Sequence, residues 1–355
     1  MVIETDRASA PQRFVDDALA SFDRAVEQAG CVERHLGVAG RFVTMRFAGD
    51  TVAGILMPAL EHVCVDHADA DADAALTVSV FDSESTGAHM VPAPWPRDAY
   101  GPKGEIAGFN DHRFRTVFQP GIDVLQTFDT LRSVGVYWTP SYRYIPWWEG
   151  SFPLRTTFHW WTSTTRSLQP MHAGAVGLAD GGVLIAGAGG AGKSTTSLAC
   201  LDGGLLYAGD DYVLVDVDAP AVYSLYSTAK LVPDNLQRFP HLADLVSNAD
   251  ALEEQKAIVF VYRYRPEQVS TGFPVRAIVL PRVTGRPGTV LAPARPRDAL
   301  TAIAPTTLFQ LPGASPDVFA KVSRLVRAVP CYWLDVGTDL DSIPRAVAGL
   351  LADLR

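Results

Sequence analysis

The residues best suited to chemistry form a glycine-rich run near the middle of the chain. Their spacing fits the pattern G-x-x-x-x-G-K-[ST], and the run consists of Gly187, Ala188, Gly189, Gly190, Ala191, Gly192, Lys193 and Ser194. In this pattern the glycines let successive backbone N–H groups surround a β-phosphate, the lysine reaches the β- and γ-oxygens, and the serine hydroxyl can ligate Mg²⁺. The run, continued by Thr195, therefore predicts a nucleoside triphosphate site.

The flanking sequence supports this interpretation. The apolar residues 183–186 precede the run and predict a buried strand, and a helix is expected from Lys193 to about Leu201. The N-terminal end of such a helix carries a partial positive charge and free N–H groups, which favour a bound phosphate.

Two adjacent carboxylates follow the predicted helix. Residues 205–208 predict a short buried strand, and Gly209, Asp210 and Asp211 come directly after it. Ligands of open α/β sheets gather at the carboxyl edge of the strands, so this pair is expected beside the phosphate loop. One aspartate can hold a metal while the other accepts a proton from an attacking hydroxyl.

A hairpin is predicted upstream of the loop. Residues 171–178 predict a strand that contains His172, and the turn residues 180–182 separate it from the strand before the loop. Two strands joined by such a short turn are antiparallel, so the sequence predicts a sheet of mixed direction.

His172, the turn, the loop and the paired aspartates together resemble the catalytic core of HPr kinase/phosphorylase, whose distant relatives are the ATP-dependent phosphoenolpyruvate carboxykinases. Residues 172–216 carry the resemblance. More specifically, the chain is similar to the orphan serine-kinase branch of that family, whose genes often accompany peptide-modification clusters.

The resemblance implies a role for each matching residue. It implies Lys193 and Ser194 for phosphate and metal, Asp210 as the base, Asp211 as the Mg²⁺ ligand, and His172 near the transferring phosphate. It also implies a homo-oligomer. The Arg-Glu-Ile-Arg-Gly stretch that typical HPr kinases carry after the aspartates is missing here, which removes support for phosphorolysis and for HPr as the substrate.

Several basic residues downstream are candidates to neutralise a transferring phosphoryl group. They are Lys230, Lys256, Arg263 and Arg265, and the sequence leaves open which of them assists. Aromatic residues cluster at 137–161, a density typical of a core or of a seam between domains. An alternative is that some of these rings, with Arg143 and Arg155, line an acceptor or adenine pocket.

Composition sets the broad class. The chain has 355 residues, of which 48% are hydrophobic and 19% charged, and its net charge of −9 argues against nucleic-acid or anionic-membrane partners. There is no apolar run long enough for a membrane span and no signal-peptide pattern, so a cytoplasmic protein is expected. The four cysteines are far apart and are expected to be free thiols.

Other elements can be predicted from apolar periodicity and turn residues. The sequence predicts an N-terminal helix around residues 14–26, strands within 31–49 and 75–82, and a helix over about 50–61 between them. Near the end it predicts a helix over 317–328, a strand over 331–334 and a helix over 343–354.

These observations predict an α/β protein with two domains. Residues 1–155 would form an N-terminal α+β domain, and residues 156–355 a P-loop kinase domain with a mixed sheet, of the HPr kinase/phosphoenolpyruvate carboxykinase type. The expected reaction is Mg²⁺-dependent transfer of the γ-phosphoryl group of ATP to a hydroxyl, above all a serine of a peptide or protein.

Alternatives remain at this point. A small-molecule kinase would use the same residues, and a non-catalytic nucleotide sensor would need only the loop. A carboxykinase is disfavoured by the short chain and by the lack of a well-placed arginine cluster. A switch GTPase is disfavoured because no Asn-Lys-x-Asp motif follows the loop.

Overall fold

The protein is organised around two large β-sheets, one from each half of the chain. The computed structural model describes residues 9–66, 75–309, 312 and 317–355. Strands from residues 31–139 form a seven-stranded sheet, and strands from residues 168–336 form a nine-stranded sheet.

The N-terminal half places its strands in the order β3-β1-β2-β4-β7-β6-β5. Its elements are α1 (Ala10–Ala29), β1 (Cys31–Val38), β2 (Arg41–Ala48), α2 (Thr51–Leu56), β3 (Cys64–Val65), β4 (Leu76–Asp82), α3 (Ser83–Thr86), β5 (Phe114–Gln119), β6 (Val124–Asp129), β7 (Val134–Thr139), α4 (Trp147–Ser151) and α5 (Arg155–Ser163). Helix α1 begins where the Ser9 side chain accepts a hydrogen bond from the Gln12 N–H, and it buries Ala18 and Phe22 against the sheet.

The C-terminal half places its strands in the order β11-β9-β10-β16-β13-β12-β8, with β18 beside β16 and β17 beside β18. Its elements are β8 (Leu168–Met171), β9 (Gly174–Leu178), β10 (Gly181–Ile185), α6 (Lys193–Asp202), β11 (Leu206–Gly209), β12 (Val213–Asp216), β13 (Ala221–Ser224), β14 (Thr228–Leu231), α7 (Pro233–Leu236), β15 (Ala257–Phe260), α8 (Val261–Tyr264), β16 (Gly272–Val283), β17 (Val290–Ala294), α9 (Pro296–Phe309), α10 (Asp317–Ala328), β18 (Cys331–Val336) and α11 (Ser342–Asp353). Strands β14 and β15 form a separate antiparallel pair.

Strand direction brings the predicted site residues to one edge. Strand β10 is antiparallel to β9 and parallel to β16, and β16 is parallel to β18. Because β11 is also antiparallel to β9, it runs in the same direction as β10. The loop after β10 and the aspartates after β11 therefore leave the sheet at the same edge.

Helices cover both faces of the C-terminal sheet. Alternate residues of a strand point to opposite faces, so Val183 packs with the cluster of α6 and α11, whereas Leu184 packs with the cluster of α9 and α10. All of strand β10 is buried for this reason. The fully apolar run before the phosphate loop is thus explained by burial on both faces.

The two halves share a third apolar cluster. Phe152 and Phe158 from the N-terminal half lie in the same buried cluster as Leu214 and Tyr226 from the C-terminal half. The Tyr226 hydroxyl also donates a hydrogen bond of 2.8 Å to the Pro153 carbonyl. The halves are consequently joined by a common core and by direct hydrogen bonds.

Most of the predicted elements are confirmed, including the mixed sheet, the hairpin of β9 and β10 and the helix after the loop. The helix predicted over 50–61 is shorter: α2 ends at Leu56, because Pro58 has no N–H to continue the α-helical hydrogen bonds. Each helix in the described part of the chain is too short or too polar to cross a lipid bilayer.

The domain boundary at residue 155 stays a prediction. Helix α5, which begins there, packs on the N-terminal sheet: the Trp160 ring stacks on Phe128 with centroids 6.5 Å apart, and Thr157 donates a hydrogen bond to Gln126. Most of the aromatic cluster is core, since Trp160 and Trp161 are fully buried.

Candidate phosphate-binding site

The glycine-rich run connects β10 to α6 as a loop. Gly192, the residue before the helix, has φ +103°, and a Cβ there would lie 3.3 Å from the Val283 side chain. A glycine suits this position because L-residues with a side chain disfavour positive φ. No side chain caps the N-terminus of α6, so its first N–H groups remain available for an anion.

Lys193 folds back along the loop. Its Nζ donates hydrogen bonds to the carbonyl oxygens of Gly187, at 2.9 Å, and Ala188, at 3.4 Å. Burial lowers the pKa of Lys193, while the nearby Asp211 and Asp210 carboxylates oppose that shift. The ammonium group is therefore held inside the loop, where it would neutralise the charge of a bound phosphate.

The turn after β11 requires a glycine. Gly209 has φ +152°, and a Cβ at this residue would lie 2.7 Å from Val213 Cγ1. The chain bends here, with an irregular register between β11 and β9 at residues 207–209. The bend places Asp210 and Asp211 in very different surroundings, although they are adjacent in the sequence.

Asp210 lies behind the loop and is 1% exposed. Its Oδ2 accepts a hydrogen bond of 3.2 Å from the Lys230 backbone N–H, and its buried Oδ1 has no hydrogen-bond partner among the described residues. Burial, together with the Asp211 charge, raises the pKa of Asp210 to about 7, although the Lys230 N–H and the Ser194 hydroxyl act in the opposite direction.

Asp211 faces the cavity and has a hydrogen bond to His172. The distance from His172 Nε2 to Asp211 Oδ1 is 2.5 Å, and Lys230 Nζ lies 3.9 Å from Asp211 Oδ2. Burial alone would raise the pKa of Asp211, but the His172 hydrogen bond and the charges of Lys230 and Lys193 hold it at about 2. Asp211 is thus an ionised carboxylate in a cationic setting.

These residues surround a cavity of about 330 Å³. Its lining comprises His172, Gly189, Gly190, Gly192, Lys193, Ser194, Thr195, Asp211, Lys230, Leu231, Val232, Asn235, Arg238, Lys256 and Val283. Of the predicted site residues, Gly187, Ala188 and Ala191 belong to the loop without lining this cavity, and Asp210 lies behind it.

The basic candidates separate into two groups. Lys230 and Lys256 line the cavity, whereas Arg263 forms an ion pair with Glu61 at the surface and Arg265 lies outside the cavity lining. Asn235 and Arg238 also line it and were not predicted. Both residues lie after β14 in a segment with no recognisable sequence motif. The folded path of the chain around α7 brings them to the cavity, and the sequence gives no sign of that path.

The oxygen atoms present suit Mg²⁺. Mg²⁺ prefers oxygen ligands, keeps several waters and usually shares its shell with substrate phosphates. Ser194 and Asp210 supply a hydroxyl and a buried carboxylate oxygen that lacks a protein partner within the described ranges. Over those ranges no cluster of three or more His, Cys, Asp or Glu residues could hold a metal by itself.

Comparison with known proteins gives structural likeness without a match in sequence. No protein-family model matches the sequence, and no curated protein matches it. Among solved structures, the HPr(Ser) kinase/phosphatase from Coxiella burnetii is similar to this chain, with 15% identity and a TM-score of 0.28. The match covers 52% of this chain and 95% of that one. A likeness with so low a score carries no weight for function.

Proposed function

We propose that this protein is an ATP- and Mg²⁺-dependent kinase that phosphorylates a hydroxyl group, in particular a serine of a peptide or protein. One observation carries the proposal: a phosphate loop with an uncapped helix and a cavity-facing Asp211–His172–Lys230 group meet in one cavity. Phosphoryl transfer needs mainly positioning and charge stabilisation, and these groups can provide both.

The loop would bind the triphosphate. The first N–H groups of α6 can donate hydrogen bonds to the phosphate oxygens. The Lys193 ammonium group, held on the loop carbonyls, adds a positive charge at the same place. When the triphosphate binds, Lys193 would release its hydrogen bonds to the Gly187 and Ala188 carbonyls and form new ones to phosphate oxygens. Lys230, Arg238 and Lys256 line the cavity and add positive charge around the phosphoryl group in transit.

We assign the metal to Ser194 and Asp210, which exchanges the aspartate roles suggested by the sequence. Asp210 is buried beside Ser194, where an acceptor hydroxyl cannot reach it but a loop-bound cation can use its charge. When bound there, Mg²⁺ would neutralise charge on the phosphate oxygens.

Asp211 is then the proton acceptor for the substrate hydroxyl. It faces the cavity, and the hydrogen bond from His172 Nε2 to Oδ1 orients the carboxylate while leaving Oδ2 toward Lys230. A low pKa does not disqualify it, because the transition state of phosphoryl transfer is loose and the hydroxyl proton leaves late. His172 and Lys230 thereby position Asp211, and Lys230 also contributes positive charge beside the phosphoryl group.

The proposal can be tested by offering the purified protein Mg·ATP with labelled γ-phosphate and a library of serine-containing peptides. We expect the label on a serine, and a loss of about 100-fold or more in Lys193→Ala. Lys103→Ala, which changes a lysine outside the cavity, is the matched control and should transfer normally.

Other outcomes identify the rival functions. Transfer to small hydroxyl compounds with every peptide ignored would indicate a small-molecule kinase. Tight Mg·ATP binding with no transfer to any hydroxyl would overturn the kinase proposal and indicate a nucleotide sensor.

A further inference from the structure

A turn from the N-terminal half lies against the candidate site. It spans residues 149–155, from the last residues of α4 to the first residue of α5. Two side chains of the C-terminal half hold its backbone: the hydroxyls of Tyr226 and Thr228 donate hydrogen bonds of 2.8 Å to the carbonyls of Pro153 and Ser151. The turn is therefore attached to the β14 region, which carries Lys230.

The turn contains a buried ion pair, although such a pair is a poor source of stability. Glu149 is 2% exposed, and its Oε2 lies 3.5 Å from Arg155 Nη2. Glu149 Oε1 and Arg155 Nε are buried without a hydrogen-bond partner among the residues described. Leu154 between them has a positive φ of 58°. Desolvation, unpaired polar atoms and a left-handed leucine all cost free energy, and such costs concentrate at functional sites.

Arg155 contacts Tyr212, and Tyr212 contacts a residue of the site. Its guanidinium lies between two rings, 5.2 Å from the centroid of Trp148 and 5.4 Å from that of Tyr212. Arg155 also has a side-chain hydrogen bond with Tyr212. The Tyr212 ring in turn contacts the His172 ring, with centroids 5.4 Å apart.

The imidazole of His172 has a hydrogen bond at one nitrogen and a ring contact with Tyr212. Nε2 is bonded to Asp211, but the buried Nδ1 has no hydrogen-bond partner in the described part of the chain. A second hydrogen bond therefore does not fix the orientation of the ring, as it does for many functional histidines. The packing of the Tyr212 ring against the imidazole supports the orientation that the Nε2 hydrogen bond requires.

We propose that Arg155 is a positioning residue for the site: it fixes Tyr212 against His172, and thereby keeps His172 Nε2 directed at Asp211. Its role in phosphoryl transfer rests on the proposed function. The contact itself does not, because it can be observed at His172 without any substrate. The N-terminal half accordingly contributes a positioning residue to the site.

The test uses the full chain and the side-chain ¹H–¹⁵N spectrum of its histidines at one fixed pH, with His172 assigned through His172→Asn. In the native protein we expect one tautomer of His172, with the proton on Nε2. Arg155→Gln and Tyr212→Leu should give a mixture of tautomers. Tyr212→Phe, which keeps the ring, should stay closer to the native pattern, and Arg155→Lys should restore it only in part.

Arg143→Gln is the matched control. Arg143 also lies over a tyrosine ring, that of Tyr142, and also pairs with a glutamate, Glu84, but it is exposed and does not line the site. Its substitution should leave the His172 spectrum and Mg·ATP affinity unchanged. A native His172 spectrum in Arg155→Gln would overturn the inference, whatever the spectrum of Tyr212→Leu.

Arg155→Gln leaves the Glu149 carboxylate buried without its cation, so a folding defect has to be separated from a positioning defect. The double variant Glu149→Gln/Arg155→Gln removes both charges and should fold. If it folds and still shows mixed tautomers, positioning is supported, whereas a native spectrum in it would contradict the proposal.

The rate of phosphoryl transfer provides a second readout. In the double variant we expect a rate about 10-fold lower than in the native protein, with the KM for Mg·ATP nearly unchanged. Absence of transfer in every protein, native included, would refute the kinase proposal and leave the spectra to decide the role of Arg155.

Discussion

At the scale of single residues, the two adjacent aspartates differ because of their surroundings. Asp210 is buried with one backbone N–H donor and has a pKa raised to about 7, while Asp211 is held at about 2 by His172 and two lysines. Two identical side chains whose pKa values are driven apart usually perform different tasks. The separation makes their roles distinguishable by measurement.

Calorimetric titration of Mg·ATP into Asp210→Asn and Asp211→Asn tests the division of roles. Asp210→Asn should weaken Mg·ATP binding by about 10-fold or more, because the carboxylate beside Ser194 is lost. Asp211→Asn should bind Mg·ATP normally and transfer phosphate about 100-fold more slowly. The reverse pattern would restore the roles that the sequence suggested, with Asp210 as base and Asp211 as metal ligand.

A second prediction concerns the pH dependence of stability without metal or nucleotide. The pKa of the Asp210 carboxyl is 3.8 in the unfolded chain, and burial raises it to about 7 in the folded protein. The folded state therefore holds the extra proton between these values, and stability falls as the pH rises from about 4 to 7. Asparagine is neutral throughout, so the stability of Asp210→Asn relative to the native protein should rise by about 3 kcal/mol between pH 5 and pH 8.

Thermal unfolding in the presence of a chelator measures this effect. Asp298→Asn is the control, because hydrogen bonds from Arg295 lower the pKa of Asp298, so the contribution of this carboxylate to stability is lost only as the pH falls below about 4. Its effect should therefore be the same at pH 5 and pH 8. An Asp210→Asn difference that does not change with pH would contradict the raised pKa of Asp210.

At the scale of secondary structure elements, the end of β11 depends on Gly209. Gly209→Ala should destabilise the protein by about 3 kcal/mol, because its φ of +152° is suited to glycine and a Cβ would approach Val213 Cγ1 to 2.7 Å. Nucleotide affinity should fall as well, since the bend places Asp210. Gly204→Ala, at φ +88° in open space, should cost only about 1 kcal/mol and leave affinity unchanged. Denaturant unfolding and calorimetry give both quantities, and equal effects at the two glycines would contradict the clash.

The elements were largely predictable, but the directions of the side chains were not. Apolar runs bounded by glycine predicted β10, α6 and β11, because burial and turn chemistry act locally. The bend at Gly209 decides which aspartate faces the cavity, and the space there is too small for a side chain because Val213 lies so close. Likewise, Asn235 and Arg238 reach the site only through the path of the chain between β14 and β15. Such long-range contacts leave no pattern in the sequence.

At the scale of the whole molecule, the two halves should unfold together. Residues 164–355 expressed alone would expose Leu214, Tyr226 and Phe260, which lie in the cluster shared with the N-terminal half. We expect a single calorimetric transition for the full chain, and for the fragment no cooperative transition and strong binding of a hydrophobic dye. Adding residues 1–163 should restore both folding and Mg·ATP binding. A fragment that folds cooperatively and binds Mg·ATP by itself would show that the halves are independent.

The strands on either side of β10 also set the order in which the phosphate site can form during synthesis. On one side β10 pairs with β9, which immediately precedes it in the chain, but on the other side Val183 pairs with Ala277, and β18 lies beyond β16. During synthesis the hairpin can therefore form early, whereas Val283 and Val336, the neighbours of Gly192, leave the ribosome much later. Nucleotide is thus expected to protect the nascent chain from proteases only after β18 has emerged, so a stalled ribosome would carry a hairpin without a working phosphate site.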